Sequence, residues 1–261
     1  MQAAALIEIG LRGEGVAKYR QMFAAGGTYT EGQFMAAARA LEENKEYDMA
    51  IQAYDKVLAT AKDVGQIANA RLGRARALVG VKKFAEAHKA LDAFITDKEL
   101  SKLQLVVDAN LLLVEVASEE GKVEKDNNER TRLFNAAVDA LKMVKKYRTQ
   151  PEELADLDLK AGEILLRKLT AEKKLGLNEQ AVETRGKAIV AFQGMIMAID
   201  PGNAALANTL EKAYYNCLPL LLEHKKYKDA AEDCERYLSL FPDGRYKTDV
   251  QNWLNQARIG Q

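Results

Sequence analysis

The side chains that could do chemistry are few and scattered. His88 and His224 are isolated along the sequence, with no carboxylate or cysteine cluster at metal-ligand spacing beside either, and both read as surface histidines. Cys217 and Cys234 give neither a disulfide framework nor a zinc spacing. They read as small hydrophobes; a bond between them would need Cα atoms within about 7 Å. The acidic pairs Glu152/Glu153 and Asp156/Asp158 could serve acid–base chemistry, but neighbours one or two apart on a helix point in different directions. Gly10, Gly13 and Gly15 crowd together like a phosphate loop, yet no strand precedes them and their order fits neither nucleotide fingerprint. The run Lys142 to Arg148 belongs to an amphipathic helix and reads as a solvated face. The residues thus predict no catalytic group, no metal and no cofactor.

Composition narrows the field in the same direction. Thirty-eight basic residues balance 38 acidic ones, so the basic excess that phosphate neutralisation demands is missing and nucleic acid is not the expected partner. Charges interrupt every apolar run well before about 18 residues, so no membrane-spanning helix is expected. Met1 to Gly10 contains Glu8 and has neither a basic lead-in nor a small-residue cleavage site, which does not read as a signal peptide. Alanine and leucine are abundant and only four prolines occur (Pro151, Pro201, Pro219 and Pro242), which favours helix nearly throughout.

A helical motif recurs along the chain. Phe34, Ala37, Ala38 and Leu41 share one helix face; a polar break from Glu42 to Glu46 follows; Tyr47, Ala50, Tyr54, Val57 and Leu58 then lie at helical spacing. Ala75 and Leu78, the break Val81 to Lys83, and Phe84, Ala87, Leu91, Phe94 and Ile95 repeat it. The third copy is Tyr214, Cys217, Leu218 and Leu221, a turn at Lys225 and Lys226, then Tyr227, Ala230, Cys234, Tyr237, Leu238 and Pro242. Small residues let two antiparallel helices approach closely, the aromatic at the turn fills the wedge between hairpins, and proline ends the second helix.

Between these copies the pattern loosens. Leu103 to Ser118 reads as a helix with Ala109, Leu113, Val114 and Ala117 buried, followed by a polar insert from Glu119 to Asn128 in place of a tight turn, and by a helix carrying Leu133, Ala137, Leu141 and Val144. Pro151 opens a longer hairpin, Glu152 to Leu175 and Asn178 to Ile199. Asp200-Pro201-Gly202-Asn203 marks a turn, with a helix expected from Asn203. Tyr246 to Ala257 forms a lone last helix, the cap a solenoid needs over its terminal face. At the other end, Ala3 to Leu11 and Gly15 to Phe23 read as a short hairpin split near Gly13.

The order aromatic, alanine three on, large residue four on, and in the third copy proline eight on, resembles the tetratricopeptide repeat (TPR). The resemblance implies an all-α, right-handed superhelical solenoid of antiparallel helix hairpins with a C-terminal capping helix, forming one domain over 1–261. The best repeats are 31–62, 68–97 and 211–242, the longer irregular hairpins span 101–199, and the capping helix is 246–257. TPR proteins line a concave groove with the first helices of successive hairpins. By that resemblance the groove presents Met35, Arg39, Glu42, Asn69, Leu72, Arg76, Asp108, Leu111, Glu115, Lys212, Tyr215 and Asn216. Where some members grip a C-terminal carboxylate with lysines and asparagines, this sequence has Met35, Arg39 and Gly73, so a clamp of that kind is not expected. Arg39 and Arg76 occupy equivalent places one repeat apart and favour an acidic ligand.

The function implied is a non-catalytic scaffold holding a peptide or partner protein. Self-association through the N-terminal hairpin is a further reading, and an enzyme on a helical toroid is the rival from another class. The run Tyr237 to Tyr246, in which Phe241-Pro242 closes one repeat and an aromatic starts the next helix, resembles repeats of bacterial envelope-assembly TPR proteins. A periplasmic setting and a cytoplasmic adaptor or co-chaperone role both stay open.

Overall fold

A computed structural model describes residues 3, 6, 11–24 and 29–260. Among these residues the chain forms twelve helices of a turn and a half or more and no strand. They are α1 (Arg12–Ala24), α2 (Glu31–Glu43), α3 (Tyr47–Thr60), α4 (Val64–Gly80), α5 (Phe84–Thr96), α6 (Leu105–Val123), α7 (Asn127–Lys145), α8 (Pro151–Lys174), α9 (Asn178–Ala198), α10 (Ala207–Glu223), α11 (Tyr227–Leu240) and α12 (Lys247–Gly260), with a 3₁₀ turn at Leu100–Lys102. The chain divides into two compact units, Met1–Glu120 and Gly121–Gln261.

Four of the hairpins share one turn. Lys45, Lys82 and Lys225 adopt φ of 64°, 60° and 57°, and Gly176 adopts 71°. Each sits two residues before the next helix. The amide after it donates back to a carbonyl of the preceding helix: Glu46 to Leu41, Lys83 to Leu78, Lys226 to Leu221 and Leu177 to Glu172. The left-handed residue's own amide closes the inner bond, as in Lys45 to Glu42 and Gly176 to Lys173. This is the Schellman arrangement, which satisfies the last carbonyls of a helix while reversing the chain. The hairpin at 151–199, irregular in helix length, therefore turns as the shorter ones do.

Elsewhere side chains set the helix starts. Thr30 accepts from the Gln33 amide while the Gln33 side chain accepts from the Thr30 amide, a reciprocal cap on α2. Asp63 caps α4 and Asp126 caps α7, each accepting a backbone bond at 2.8 Å.

Packing follows the alanines. Ala38, Ala50, Ala87 and Ala230 have no exposed surface, and Ala75 almost none. Within the hairpins each helix packs on its partner, as α2 on α3, α4 on α5, α8 on α9 and α10 on α11, and first helices of successive hairpins also touch: α2 with α4, α8 with α10, and α10 with α12. Serial stacking of hairpins within each unit is the arrangement that produces a solenoid. Tyr47 of α3 lies against Gly80 of α4, where an added β-carbon would come within 2.6 Å of its ring, and Tyr227 of α11 meets Gly260 of α12 in the same way at 2.7 Å. The wedge role expected of the turn aromatic is met by a glycine 33 residues further on in both hairpins, and α12 stands to Tyr227 as α4 stands to Tyr47.

Several expectations are corrected. The polar insert 119–128 is mostly helical: α6 continues to Val123, because Glu119, Glu120 and Lys122 are straight-chain residues that prolong a helix, and only 124–126 break it. Val116 takes the buried place expected of Val114, which is half-exposed. Helix α10 starts at Ala207, since Asp200 and Asn203 spend their side chains on the Gly202 and Ala205 amides and hold 200–206 as turns. Gly13 lies inside α1 rather than at a split; the preceding half-hairpin, 3–11, falls largely outside the described residues. Pro219 sits within α10.

Candidate functional site

In the first unit, first helices α2 and α4 bring predicted groove residues together. Glu42 of α2 accepts from the Arg76 Nε of α4 at 2.6 Å and from the Tyr54 hydroxyl of α3 at 2.6 Å. The Tyr54 ring in turn rests on Gly73 of α4, occupying the space of a β-carbon. Burial foremost, and then the bond to Glu42, push the Tyr54 phenol well above its ordinary 10.0. Arg39 of α2 is exposed, makes no hydrogen bond or ion pair among the described residues, and lies within electrostatic reach of Tyr54. Met35 is half-exposed beside it, and Asn69 is occupied with the Gly65 carbonyl at 2.8 Å. On α6, Asp108 and Glu115 are exposed and Leu111 is half-buried. Leu72 is corrected: at 3 % exposure it belongs to the core, because α4 buries an apolar face broader than its repeat pattern suggested.

In the second unit, Lys212, Tyr215 and Asn216 are half-exposed on α10. Tyr215 is engaged by its own chain, its ring stacked 4.0 Å from that of Tyr246 and 5.4 Å from that of Trp253. Beneath, Glu211 accepts from the Tyr237 hydroxyl at 2.7 Å and from the Arg245 amide at 2.6 Å, which pins the loop before α12. The three α10 residues therefore border a fixed aromatic stack.

The sequence reading predicted α8 but placed no groove residue on it. Leu166, Arg167, Thr170, Ala171 and Lys174 of this helix, with Lys122 of α6, line a cavity of about 290 Å³. The signal was in the sequence as Arg167, Thr170 and Lys174 at spacings of three and four, one face of a helix. What hid it was the length of the hairpin, which carries these residues past the positions a standard repeat would use.

His88 is also corrected. It is 4 % exposed and its Nδ1 lies 2.8 Å from a Glu120 carboxylate oxygen on α6. Its Nε2 lies 3.5 Å from Asp92 one turn on, and the longer-range contact with Glu120 ties α5 to α6. His224 is half-exposed at the end of α10. Cys217 and Cys234 are buried free thiols, pushed up to about 12 by burial.

The acidic pairs do not converge. Asp156 accepts from the Thr209 hydroxyl at 3.0 Å, Asp158 from Lys145 at 2.6 Å, and Glu153 faces Arg148 at 3.7 Å. Among the described residues no three His, Cys, Asp or Glu side chains gather as metal ligands, and no helix is long and apolar enough to cross a membrane.

No protein-family model matches the chain, and no curated protein matches it. Solved structures do. A thermophilic TPR protein of Thermus thermophilus, TTC0263, is 16 % identical, over 88 % of this chain and 100 % of that one, with a TM-score of 0.42. The TPR2AB domain of yeast Sti1, solved in a pHSP90 complex, is 17 % identical over 98 % and 95 %, with a TM-score of 0.29. A chain from the computational design of self-assembling cyclic homooligomers is 17 % identical over 99 % and 94 %, with a TM-score of 0.28. At these values the likeness adds nothing to what the hairpins show by themselves. Within each unit the left-handed turns, alanine seams and aromatic wedges define antiparallel helical hairpins stacked in series.

Proposed function

We propose that this chain is a non-catalytic scaffold that holds a peptide or partner protein on the flanks of its first helices. The observation that carries the reading is the surface of α2 and α4. The backbone there is satisfied within the helices, Glu42 fixes Arg76 in place, and Arg39 stands exposed beside it without an ion pair. A surface of that kind binds through side chains alone, and arginine is among the residues most often found to dominate binding energy. Met35, Asn69, Asp108, Leu111 and Glu115 complete the proposed surface of the first unit; Lys212, Tyr215 and Asn216 are its proposed counterpart in the second. The resemblance of the Phe241-Pro242 segment supports placing the scaffold in a bacterial envelope.

The test is capture of a partner on the immobilised chain, repeated with Arg39→Glu plus Arg76→Glu. Reversing two anchor charges is expected to weaken capture by about 30-fold or more, the scale of roughly 2 kcal/mol at a binding hot spot. A circular-dichroism melt that leaves the fold intact while capture falls supports the assignment; undiminished capture refutes it.

A further inference from the structure

The cavity between the end of α6 and the second half of α8 is lined by cations without a carboxylate. Of its six lining residues three are cations, Lys122, Arg167 and Lys174, and none is a carboxylate, in a chain whose acidic and basic residues are equal in number. Arg167 and Lys174 are exposed and make no hydrogen bond or ion pair among the described residues, whereas Lys173, between them in sequence, is held by Glu223 at 2.7 Å. The one acidic residue of that stretch, Glu172, is 1 % exposed and turned inward beside the buried Lys168. The Thr170 hydroxyl donates to the Leu166 carbonyl at 2.8 Å, so the donors α8 offers a ligand are Arg167 and Lys174. Ala171 lies between them along the helix face, and Leu166 adds apolar lining at the Arg167 end.

We infer that this cavity recognises an acidic segment of a partner protein, two carboxylate side chains flanking an apolar one. Arg167 and Lys174 are seven residues apart, which places them roughly 10.5 Å apart along the helix axis. A peptide in the polyproline II conformation covers roughly 9 Å in three residues and returns every third side chain to the same face. One carboxylate then takes the guanidinium fork of Arg167, a second takes the Lys174 ammonium, and the apolar side chain between them lies on Leu166 and Ala171. Both helices are first helices of their hairpins. The inference therefore rests on the scaffold reading and names the chemistry of a ligand the second unit selects.

Backbone NMR of the isotope-labelled full chain tests it, with an acetylated, amidated Gly-Glu-Leu-Ala-Glu-Gly peptide as probe. The Glu peptide is expected to shift the amides of 166–174. Its Gln counterpart, and Arg167→Glu plus Lys174→Glu, are each expected to weaken the effect by about tenfold, while Arg39→Glu leaves it unchanged. Equal shifts from the Gln peptide overturn the inference. So does saturation of the same amides by inorganic phosphate alone with no further effect of peptide, because that would make the cavity a general anion site. A silent α8 alongside partner capture that still depends on Arg39 and Arg76 refutes this inference and spares the scaffold reading. Failure to capture any partner refutes the scaffold reading itself.

Discussion

The ring of Tyr54 occupies the space where Gly73 would carry a β-carbon, so α3 and α4 meet at a distance only glycine allows. Phe192 and Gly162 repeat the relationship between α9 and α8, with the ring 2.5 Å from an added β-carbon.

That contact reverses the usual sign of a glycine substitution. Gly73→Ala is expected to destabilise the first unit by about 1–3 kcal/mol, because the ring is part of a closed core and cannot retreat freely. Gly194→Ala on α9, where nothing lies within 4 Å, should raise stability by about 0.5–1 kcal/mol through helix propensity alone. Urea midpoints of the two variants check the pair; equal effects would disprove the close approach.

Two tyrosines of one cluster should respond oppositely to loss of the hydroxyl. Tyr237 donates to Glu211, so Tyr237→Phe is expected to cost about 1.5–3 kcal/mol. The Tyr214 hydroxyl is buried and finds no hydrogen-bonding partner among the described residues, so Tyr214→Phe should be neutral or stabilising. Thermal melts of both variants settle it.

The same phenols predict alkaline sensitivity. Tyr54 and Tyr237 are raised above 10.0 by burial and by hydrogen bonds to carboxylates, and Tyr214 is raised to about 12 by burial. A group whose folded pKa is raised contributes stability in full below its unfolded value and loses it as pH climbs toward the folded one. Stability should therefore be flat toward neutral pH as far as these phenols are concerned and decline above about pH 10. Tyr54→Phe should flatten part of that decline in a pH series of unfolding curves.

Cys217 and Cys234 should be inert in the native protein. Burial holds both thiols protonated up to about 12, and only the thiolate reacts. A chromogenic disulfide reagent at pH 8 is expected to label neither thiol until denaturant is added, and then both. Rapid labelling of the folded chain would contradict the packing of the α10–α11 hairpin.

Lys168 and Glu172 form a buried pair 3.9 Å apart, with one Glu172 oxygen unbonded. Breaking it by Glu172→Ala should cost about 3–5 kcal/mol, whereas Lys168→Met with Glu172→Leu should cost far less or stabilise, since two desolvated charges leave together. A double-mutant cycle in urea measures the coupling.

The hairpins were legible in the sequence because the physics that builds them is local. Ala50, Ala87 and Ala230 follow Tyr47, Phe84 and Tyr227 at fixed helical spacing, and a helix presents what its sequence lists every three or four residues. The repeat also put Arg39 and Arg76 at equivalent positions, and the fold sets them on touching helices. Only tertiary structure decided the rest, because it depends on residues that chain distance does not relate. Glu120 reaches His88 across 32 residues and makes a buried pair of what read as a surface histidine. Tyr246 and Trp253 fold back on Tyr215 and take up part of a predicted groove. Lys122 meets Arg167 and Lys174 only once α6 and α8 pack, and that meeting makes a cavity from three separate charges.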